Sequence, residues 1–367
     1  MIRAASLRGS PVRITDLWTC VIHRSVMRTQ VYRMGEGTMK TGKVPENVLK
    51  RAVFGQIHTR RAEVILGAGV GEDCAAMKLE PGEIFVISAD PITGTAKDIG
   101  TLAVRITVND LASAGAEPVG ILLTVLLPEE TEEPELKVMM AQVEQACREA
   151  NVQVMGGHTE VTAVVNQPVI TVCGVGKVKE GQMVTTAGAR PGMDILVTKW
   201  IGLEGTSILA KEREEQLLTR FSAAFVEEAK SFDRYIPVLP EAAAAVRSGV
   251  GAMHDVTEGG IFGALWEMAE ASGVGLWIDL RKIPVRQETV EICEFFGISP
   301  YQLISSGSML MALPDGGRLA RELEKQGIPA TVIGKATAGN DRILWNEGEK
   351  RYLEPPRTDE LYRALGK

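Results

Sequence analysis

Short apolar runs alternate with longer amphipathic segments in the first half of the chain. Runs of strand length, bounded by glycine, proline or charged residues, lie at 63–66, 84–87, 120–127, 152–155 and 168–175. Segments with apolar residues at helical spacing lie at 48–54, 102–111 and 132–150. Such helices bury one face against a sheet, so the pattern predicts a domain of mixed helices and strands.

A second unit of the same kind comes after the sequence RPG at 190–192, which we interpret as a domain hinge because a Pro-Gly turn separates two strand-like runs. Its predicted strands lie at 194–199, at 275–280, at 302–313 with a break at 305–307, and at 330–333. Its predicted helices lie at 205–210, 261–271 and 318–326, with a short exposed helix in the tail. We therefore predict an α/β (α+β) chain with domains at 39–188 and 189–345 and a tail at 346–367.

Residues 1–38 differ in composition from the rest of the chain. They contain six arginines but only two acidic residues, Asp16 and Glu36. An arginine-rich, acid-poor leader is typical of an organelle transit peptide. A start placed too far upstream, with Met39 as the true beginning, explains the composition equally well, so this segment is left unassigned.

Composition excludes several classes of function. The 367 residues carry a net charge of −7, which argues against a general nucleic-acid surface, and no apolar run approaches the roughly 20 residues of a membrane span. The five cysteines are scattered without a C-x-x-C pair, which predicts reduced thiols in a cytoplasmic protein. The four histidines form no H-E-x-x-H motif, so any metal is expected to have oxygen ligands.

Four carboxylates follow strand-like runs beside glycine or threonine: Asp73, Asp90, Glu160 and Asp255. Magnesium prefers oxygen ligands and bridges carboxylates to phosphate, so such a set predicts a magnesium–nucleotide site. Any one of them could instead be a helix cap or a turn residue. The adjacent pair Asn109 and Asp110 lies in an otherwise apolar helix, where burial calls for a ligand, a metal ion or a capping role.

The common phosphate-binding motifs do not account for this chain. Gly67, Gly69 and Gly71 follow a strand, with Asp90 about 20 residues on, as in a dinucleotide fingerprint. The third glycine comes one position early, and Pro81 and the glycine after it stop the next segment before a crossover helix could form. The sequence also contains no G-x-x-x-x-G-K-[ST], so a tight turn or a different phosphate loop remains.

Two reactive residues have alternative interpretations. His158 follows two glycines and could act as a base or phosphate donor, or it could be a hydrogen-bonded loop residue. Cys74 could be a nucleophile beside Asp73, or a small buried thiol. The order of residues supports no Ser-His-Asp triad.

The motifs together resemble the aminoimidazole ribonucleotide synthetase (PurM-like) superfamily. The resemblance is carried, in the order of that family, by GEDCAA at 71–76, Asp90, VNDLAxxGAxP at 108–118, GGHTE at 156–160 and DxTxGG at 255–260. It covers about residues 44 to 340 and is most similar to the hydrogenase maturation carbamoyl-dehydratase (HypE-like) branch. The resemblance implies a two-domain fold whose N-terminal domain binds ATP and dimerises. It also implies magnesium-dependent transfer of the ATP γ-phosphate to an oxygen of an acceptor.

The resemblance also implies roles for individual residues. The magnesium or nucleotide ligands would be Asp73, Asp90, Asn109 and Glu160. Residues facing the nucleotide would be Asp110, Asp255 from the second domain, and the loop residues Gly156, Gly157 and Thr159. The residues acting on the reacting groups would be Asp90 and His158.

One departure from the HypE-like pattern bears on the acceptor. That branch carries its substrate on a cysteine at the extreme C-terminus, whereas this chain ends RALGK and its nearest thiol in sequence is Cys293. We therefore expect a different acceptor, either a small molecule or a protein-borne group. The alternatives are a nucleotide-binding maturation partner without turnover, or a phosphotransferase similar to selenophosphate synthetase or thiamine monophosphate kinase. The histidine at position 158 is a point of resemblance to the selenophosphate branch. The reactive cysteine or selenocysteine of that branch, however, has no match in this sequence after Met39.

Overall fold

The computed structural model describes residue 39 and residues 41–69, 74–93, 97–355 and 358–366. The predicted leader at 1–38 and the predicted ligand Asp73 lie outside these residues. Within the described part of the chain, no helix is long and apolar enough to cross a membrane.

The first half of the described chain forms a five-stranded sheet in the order β1-β6-β5-β7-β4 and a separate β2–β3 hairpin. Strands β5 and β6 are parallel, and the other pairs in the sheet are antiparallel. The strands are β1 (Gly42–Lys43), β2 (Val64–Leu66), β3 (Ala76–Met77), β4 (Glu83–Ile92), β5 (Glu117–Leu127), β6 (Gln153–Val161) and β7 (Val169–Lys179). The helices are α1 (Glu46–Val48), which continues as the π-helical segment Leu49–Phe54, then α2 (Ile99–Ser113) and α3 (Glu133–Ala150).

The second half forms a seven-stranded sheet in the order β14-β13-β10-β12-β8-β11-β9. Its strands are β8 (Asp194–Thr198), β9 (Ala252–Val256), β10 (Gly275–Asp279), β11 (Ser308–Leu313), β12 (Ala330–Thr337), β13 (Arg342–Asn346) and β14 (Glu349–Tyr352). Its helices are α4 (Leu203–Glu212), α5 (Glu214–Leu217), α6 (Ala223–Lys230), α7 (Leu239–Arg247), α8 (Gly260–Ser272), α9 (Gln287–Phe296), α10 (Gly316–Glu324) and α11 (Glu360–Leu365). Short 3-10 turns lie at Thr186–Gly188, Ser231–Tyr235, Leu280–Lys282 and Pro300–Gln302.

Helices α2 and α3 cover one face of the five-stranded sheet. Helix α3 begins at a capping box in which Glu132 and Glu135 exchange side-chain and backbone hydrogen bonds, as its acidic first turn favours. Their apolar faces share one buried cluster with the inward-facing residues of β5, β6 and β7. On the opposite face, Phe85 and Ile87 of the edge strand β4 are 49% and 64% exposed. One face of this sheet is therefore left open in the single chain.

Several elements run further than their sequence signals. Strand β4 continues through Pro91 to Ile92, because an edge strand tolerates proline on the side without a partner strand. Asp90 therefore lies within a strand, not at its end. Likewise β6 runs through Gly156, Gly157 and Thr159 to residue 161, so the predicted phosphate loop is a strand in the structure.

The C-terminal part also differs from its prediction. Strand β14 pairs with β13, so the second sheet continues past the predicted domain boundary at 345. The tail helix α11 exists, but its prediction as an exposed helix was wrong, since Leu361 and Leu365 are buried in an apolar cluster with residues of α4 and α9. The predicted strand at 302–313 begins only at Ser308, after Gly307 turns the chain with a φ of 107°.

Candidate functional site

Two carboxyl groups meet between α2 and β4. Asp110 accepts a short hydrogen bond from the hydroxyl of Ser88 and shares another with Asp90, which lies two residues further along the same face of the strand. Burial raises the pKa of Asp110 to about 9, with the Asp90 hydrogen bond and the charge of Asp255 acting in the same direction against Ser88. Asp110 therefore holds a proton at neutral pH when no cation is bound.

Asp255 faces this pair from the second sheet. It lies on β9 and is 6% exposed, and among the described residues its Oδ2 atom has no hydrogen-bond partner. Its Oδ1 atom lies 3.7 Å from Nδ1 of His254, whose Nε2 lies 2.8 Å from Glu267. Burial lowers the pKa of His254, but the nearby carboxyl groups of Asp255 and Glu267 outweigh it and raise the pKa to about 9. A protonated histidine thus neighbours the Asp255 carboxylate.

The residues present fit a hard divalent cation. Asp110 shares a hydrogen bond with Asp90, the charge of Asp255 raises the pKa of Asp110, and one buried oxygen of Asp255 is unpaired, so a positive charge there would be favourable, and all the available donors are oxygens. In the described ranges, no three acidic, histidine or cysteine side chains lie close enough to form a metal centre by themselves. Magnesium commonly takes one or two carboxylates and completes its shell with water and phosphate, so a partial protein ligand set suits it.

Asn109, the neighbour of Asp110, has a different environment from that predicted. Its side chain is fully buried, its Nδ2 donates to the carbonyl of Ile236 at 2.8 Å, and its Oδ1 accepts from the N–H of Val238 at 3.1 Å. Both polar atoms of the amide are thus engaged by backbone. This arrangement makes Asn109 a structural link between α2 and the second domain and leaves it no free atom for a ligand.

The GGHTE strand does not join the Asp90 pair within one chain. His158 and Glu160 bind each other at 2.9 Å and are both partly exposed. They lie on the open face of the sheet, whereas Asp90 points towards α2. Strand β6 is also three strand spacings from β4, which is roughly 14 Å. Within one chain, the structure therefore places Asp90 beside Asp110, whose pKa is raised by the charge of Asp255, and it places Glu160 on the opposite face of the sheet.

Gly157 is required by the packing of β6 on β5. Its φ is 147°, and a Cβ atom at this position would lie 2.0 Å from the carbonyl oxygen of Leu123. The neighbouring Gly156 is less constrained, because its Cβ would meet only the end of the Leu122 side chain at 3.2 Å. Thr159 is buried, and its carbonyl accepts from the N–H of Val44 on the N-terminal segment.

The same glycines line a cavity of about 450 Å³ between α1, the sheet and the end of the β2 segment. Its wall is mainly apolar and includes Leu49, Val53 and Phe54. The polar side chains that line it include Lys43, Glu46, His158 and Thr159. The volume is in the range of small-molecule sites. The cavity could hold an organic ligand such as a purine ring.

The described cysteines are all free thiols. Cys147 and Cys293 are buried, and burial raises the pKa of Cys293 to about 12, which leaves it without thiolate at neutral pH. Cys74 is exposed, so its interpretation as a small buried thiol was wrong.

Sequence reasoning missed a second group of buried acids behind Asp255. Burial raises the pKa of Glu204 on α4 to about 7, opposed by Ser306 and assisted by the charges of Asp359 and Asp255. Asp359 in the tail accepts from the backbone N–H of Gly259 at 2.7 Å, where the DxTxGG motif opens α8. The one available signal was a lone glutamate in the apolar segment 203–210, while nothing marked Asp359, about 100 residues from its partner.

Comparison with known proteins identifies the family of the chain. The models of the AIR synthase related protein match over both domains, the N-terminal domain at residues 71–178 and the C-terminal domain at 190–346. The chain belongs to the AIR synthase related protein family.

Within the family, the chain is similar to hydrogenase maturation proteins. It is 32% identical over 275 residues to the carbamoyl dehydratase HypE of Cupriavidus necator, covering 70% of this chain and 76% of the relative. It is 31% identical over 324 residues to HypE of Azotobacter vinelandii, covering 85% and 89%. The crystal structure of the hydrogenase maturation protein HypE in complex with ATP superposes with a TM-score of 0.74 at 22% identity, covering 89% and 98% of the two chains. That likeness shows that the two share a fold.

Proposed function

We propose that this protein is an ATP- and magnesium-dependent enzyme of the hydrogenase maturation type, which transfers the γ-phosphate of ATP to an oxygen of an acceptor. The observation that carries the proposal is the convergence of Asp90, Asp110 and Asp255 from two domains, with one buried oxygen unpaired. Relatives about 30% identical over most of the chain are carbamoyl dehydratases, and one solved relative binds ATP.

Asp90 and Asp110 would hold the magnesium ion, and Asp255 would face it from the second domain. A magnesium ion bound there would supply positive charge that stabilises the negative charge developing during phosphoryl transfer. Asp110 must first lose the proton that it shares with Asp90, since a protonated carboxyl group is a poor ligand.

We assign the nucleotide base to the cavity beside Gly156 and Gly157. Its apolar wall suits a purine ring, and Lys43 supplies a positive charge at the rim. Transfer of phosphate to an amide-type oxygen converts a poor leaving group into a good one, so dehydration can follow. Neither buried thiol, Cys147 nor Cys293, suits the role of acceptor, and the acceptor we propose is a separate molecule or protein group.

We further propose a homodimer formed through the open face of the five-stranded sheet. Phe85 and Ile87 expose apolar surface on the edge strand, and Val175 and Leu122 continue that surface across the sheet. His158 and Glu160 share this face, so dimerisation would bring them to the interface. Free thiols in the described chain fit action in the reducing cytoplasm.

The test compares ATP turnover of the native protein and of Asp90→Asn with magnesium present. We expect at least about a 100-fold loss of turnover in the variant, because a group that stabilises developing charge is removed. Asp341→Asn, which neutralises an exposed acid in a loop of the second domain, is the matched control and should keep full turnover. Nucleotide binding without turnover, with carboxamide, selenide and thiamine monophosphate each offered as acceptor, would support a non-catalytic partner instead.

A further inference from the structure

Residues 235–238, here called the bracket segment, are bound from both domains. From the first domain, Asn109 on α2 binds the carbonyl of Ile236 and the N–H of Val238. From the second, the ammonium group of Lys199 donates to the carbonyls of Tyr235 and Pro237, each at 2.7 Å. The carbonyls of residues 235, 236 and 237 thus accept hydrogen bonds alternately from the second, the first and the second domain. These bonds restrict movement of the segment relative to either domain.

Neither of these side chains is free to rearrange. Asn109 is fully buried, and Lys199 is 6% exposed and paired with the buried Glu241 at 2.6 Å. An amide or an ammonium group that lost its partners at these depths would leave a buried polar group unsatisfied, which is strongly unfavourable. Arg105, one turn before Asn109 on α2, adds a hydrogen bond to the carbonyl of Asp233 at 2.9 Å.

The bracket segment connects the elements that carry two acidic residues of the candidate site, Asp110 and Asp255. Asn109 and Asp110 are consecutive residues of α2, so a shift of the amide moves the carboxyl group with it. Lys199 directly follows β8, which lies two strands from β9 and its Asp255. The chain of contacts therefore runs from Asp110 through Asn109, the bracket segment and Lys199 to the sheet that carries Asp255.

We infer that Asn109 is a positioning residue that sets the separation of Asp110 and Asp255 through the bracket segment, and thereby the affinity of the site for magnesium. The inference rests on the proposed function for the identity of the cation. It gives Asn109 a role in the site without contact with the metal or the nucleotide. Residues that orient metal ligands from behind typically change metal affinity by 10- to 100-fold.

The experiment measures the magnesium dependence of ATP turnover in Asn109→Ala. We expect the apparent magnesium constant to rise by about tenfold, while the KM for ATP at saturating magnesium changes by less than about twofold. The double variant Lys199→Met, Glu241→Gln should show the same split, because it frees the bracket segment from the other domain without leaving a bare buried charge.

Val104→Ala is the control for a merely structural effect. Val104 is fully buried on α2 and contacts the core of the first domain, so its truncation weakens the same helix away from the bracket segment. We expect a lower Tm and an unchanged magnesium constant. An equal magnesium shift in Val104→Ala, or none in Asn109→Ala, would overturn the inference while the proposed function stood.

A second measurement separates failure of the inference from failure of the proposed function. Hydrogen–deuterium exchange of the Val238 amide needs no nucleotide, and it should accelerate by at least about tenfold in Asn109→Ala and stay near the native rate in Val104→Ala. If the native protein turned over no ATP, the proposed function would fall. In that case, unchanged exchange at Val238 in Asn109→Ala would overturn the inference that Asn109 holds the bracket segment, and accelerated exchange would support it.

Discussion

Asp110 on α2 and Asp255 on β9 belong to different domains, yet the charge of Asp255 helps to raise the pKa of Asp110. Neither residue is near the other in sequence, so this electrostatic coupling exists only when the domains are assembled. Assembly of the two domains and protonation of Asp110 are therefore linked.

This coupling predicts a pH-dependent stability in the absence of metal. The pKa of Asp110 is about 9 in the folded protein, above its ordinary value, so the stabilisation is complete below pH 4 and is lost as the pH rises to 9. We expect Asp110→Asn to raise the Tm at pH 8 in a chelator, because the amide keeps the hydrogen bonds and, unlike the carboxyl group, does not have to take up a proton on folding. Thermal unfolding at pH 5 and pH 8 tests this, and a variant less stable than the native protein at pH 8 would contradict it.

The same proton should be released when magnesium binds. Titration of the native protein with magnesium and a non-hydrolysable ATP analogue in buffers of different ionisation enthalpy gives the number of protons released. We expect close to one proton at pH 7 for the native protein and about none for Asp110→Asn. Equal release by both proteins would show that another group supplies it.

Asp255→Asn should separate nucleotide binding from turnover. Asp255 approaches from the second domain, away from the cavity beside Gly157, so we expect ATP turnover to fall by about 100-fold and nucleotide affinity to change little. His254 loses a partner in this variant, so its pKa should also fall. Steady-state kinetics, equilibrium dialysis and an NMR titration of the imidazole measure the three effects.

Two adjacent glycines provide a test of the β6 backbone. Gly157→Ala puts a Cβ atom against the Leu123 carbonyl at a positive φ, so we expect a loss of about 2–4 kcal/mol in the free energy of unfolding. Gly156→Ala meets only a flexible side-chain end and should cost about 1 kcal/mol or less. Urea denaturation compares the two, and similar losses would refute the packing argument.

The open sheet face predicts the state of association. Ile87→Lys places a charge in the centre of the proposed dimer contact, so the variant should sediment as a monomer with its fold intact. Val138→Lys, on the exposed side of α3, is the control and should leave association unchanged. Native protein that is monomeric at micromolar concentration would remove the basis for this contact.

Much of the fold could be predicted from apolar spacing, because the buried faces of α2, α3 and the central strands repeat at their characteristic periods. The ends of β4 and β6 could not be predicted, because proline and glycine, considered by themselves, indicate the end of a strand. Here Pro91 lies on an edge strand, and Gly157 fits against the Leu123 carbonyl. Because residues 153–161 form a strand, successive side chains alternate between the two faces of the sheet, and Glu160 lies on the face opposite to that of Asp90.

The same limit applies to individual side chains. Asp90 and Asp255 could be identified because a carboxylate beside glycine or threonine is visible in the sequence. The hydrogen bonds of Asn109 to the backbone of residues 236 and 238 cannot be identified in this way. Every residue type has a backbone carbonyl and all except proline have an N–H, so the sequence does not show which backbone groups are bound.

The carboxylate of Asp359 fastens the last helix of the chain to the backbone of Gly259, at the turn that opens α8 close to Asp255. The turn beside Asp255 therefore depends on a residue about 100 positions away in the sequence. Truncation before residue 358 would leave the Gly259 N–H without this acceptor, so we expect it to destabilise the turn.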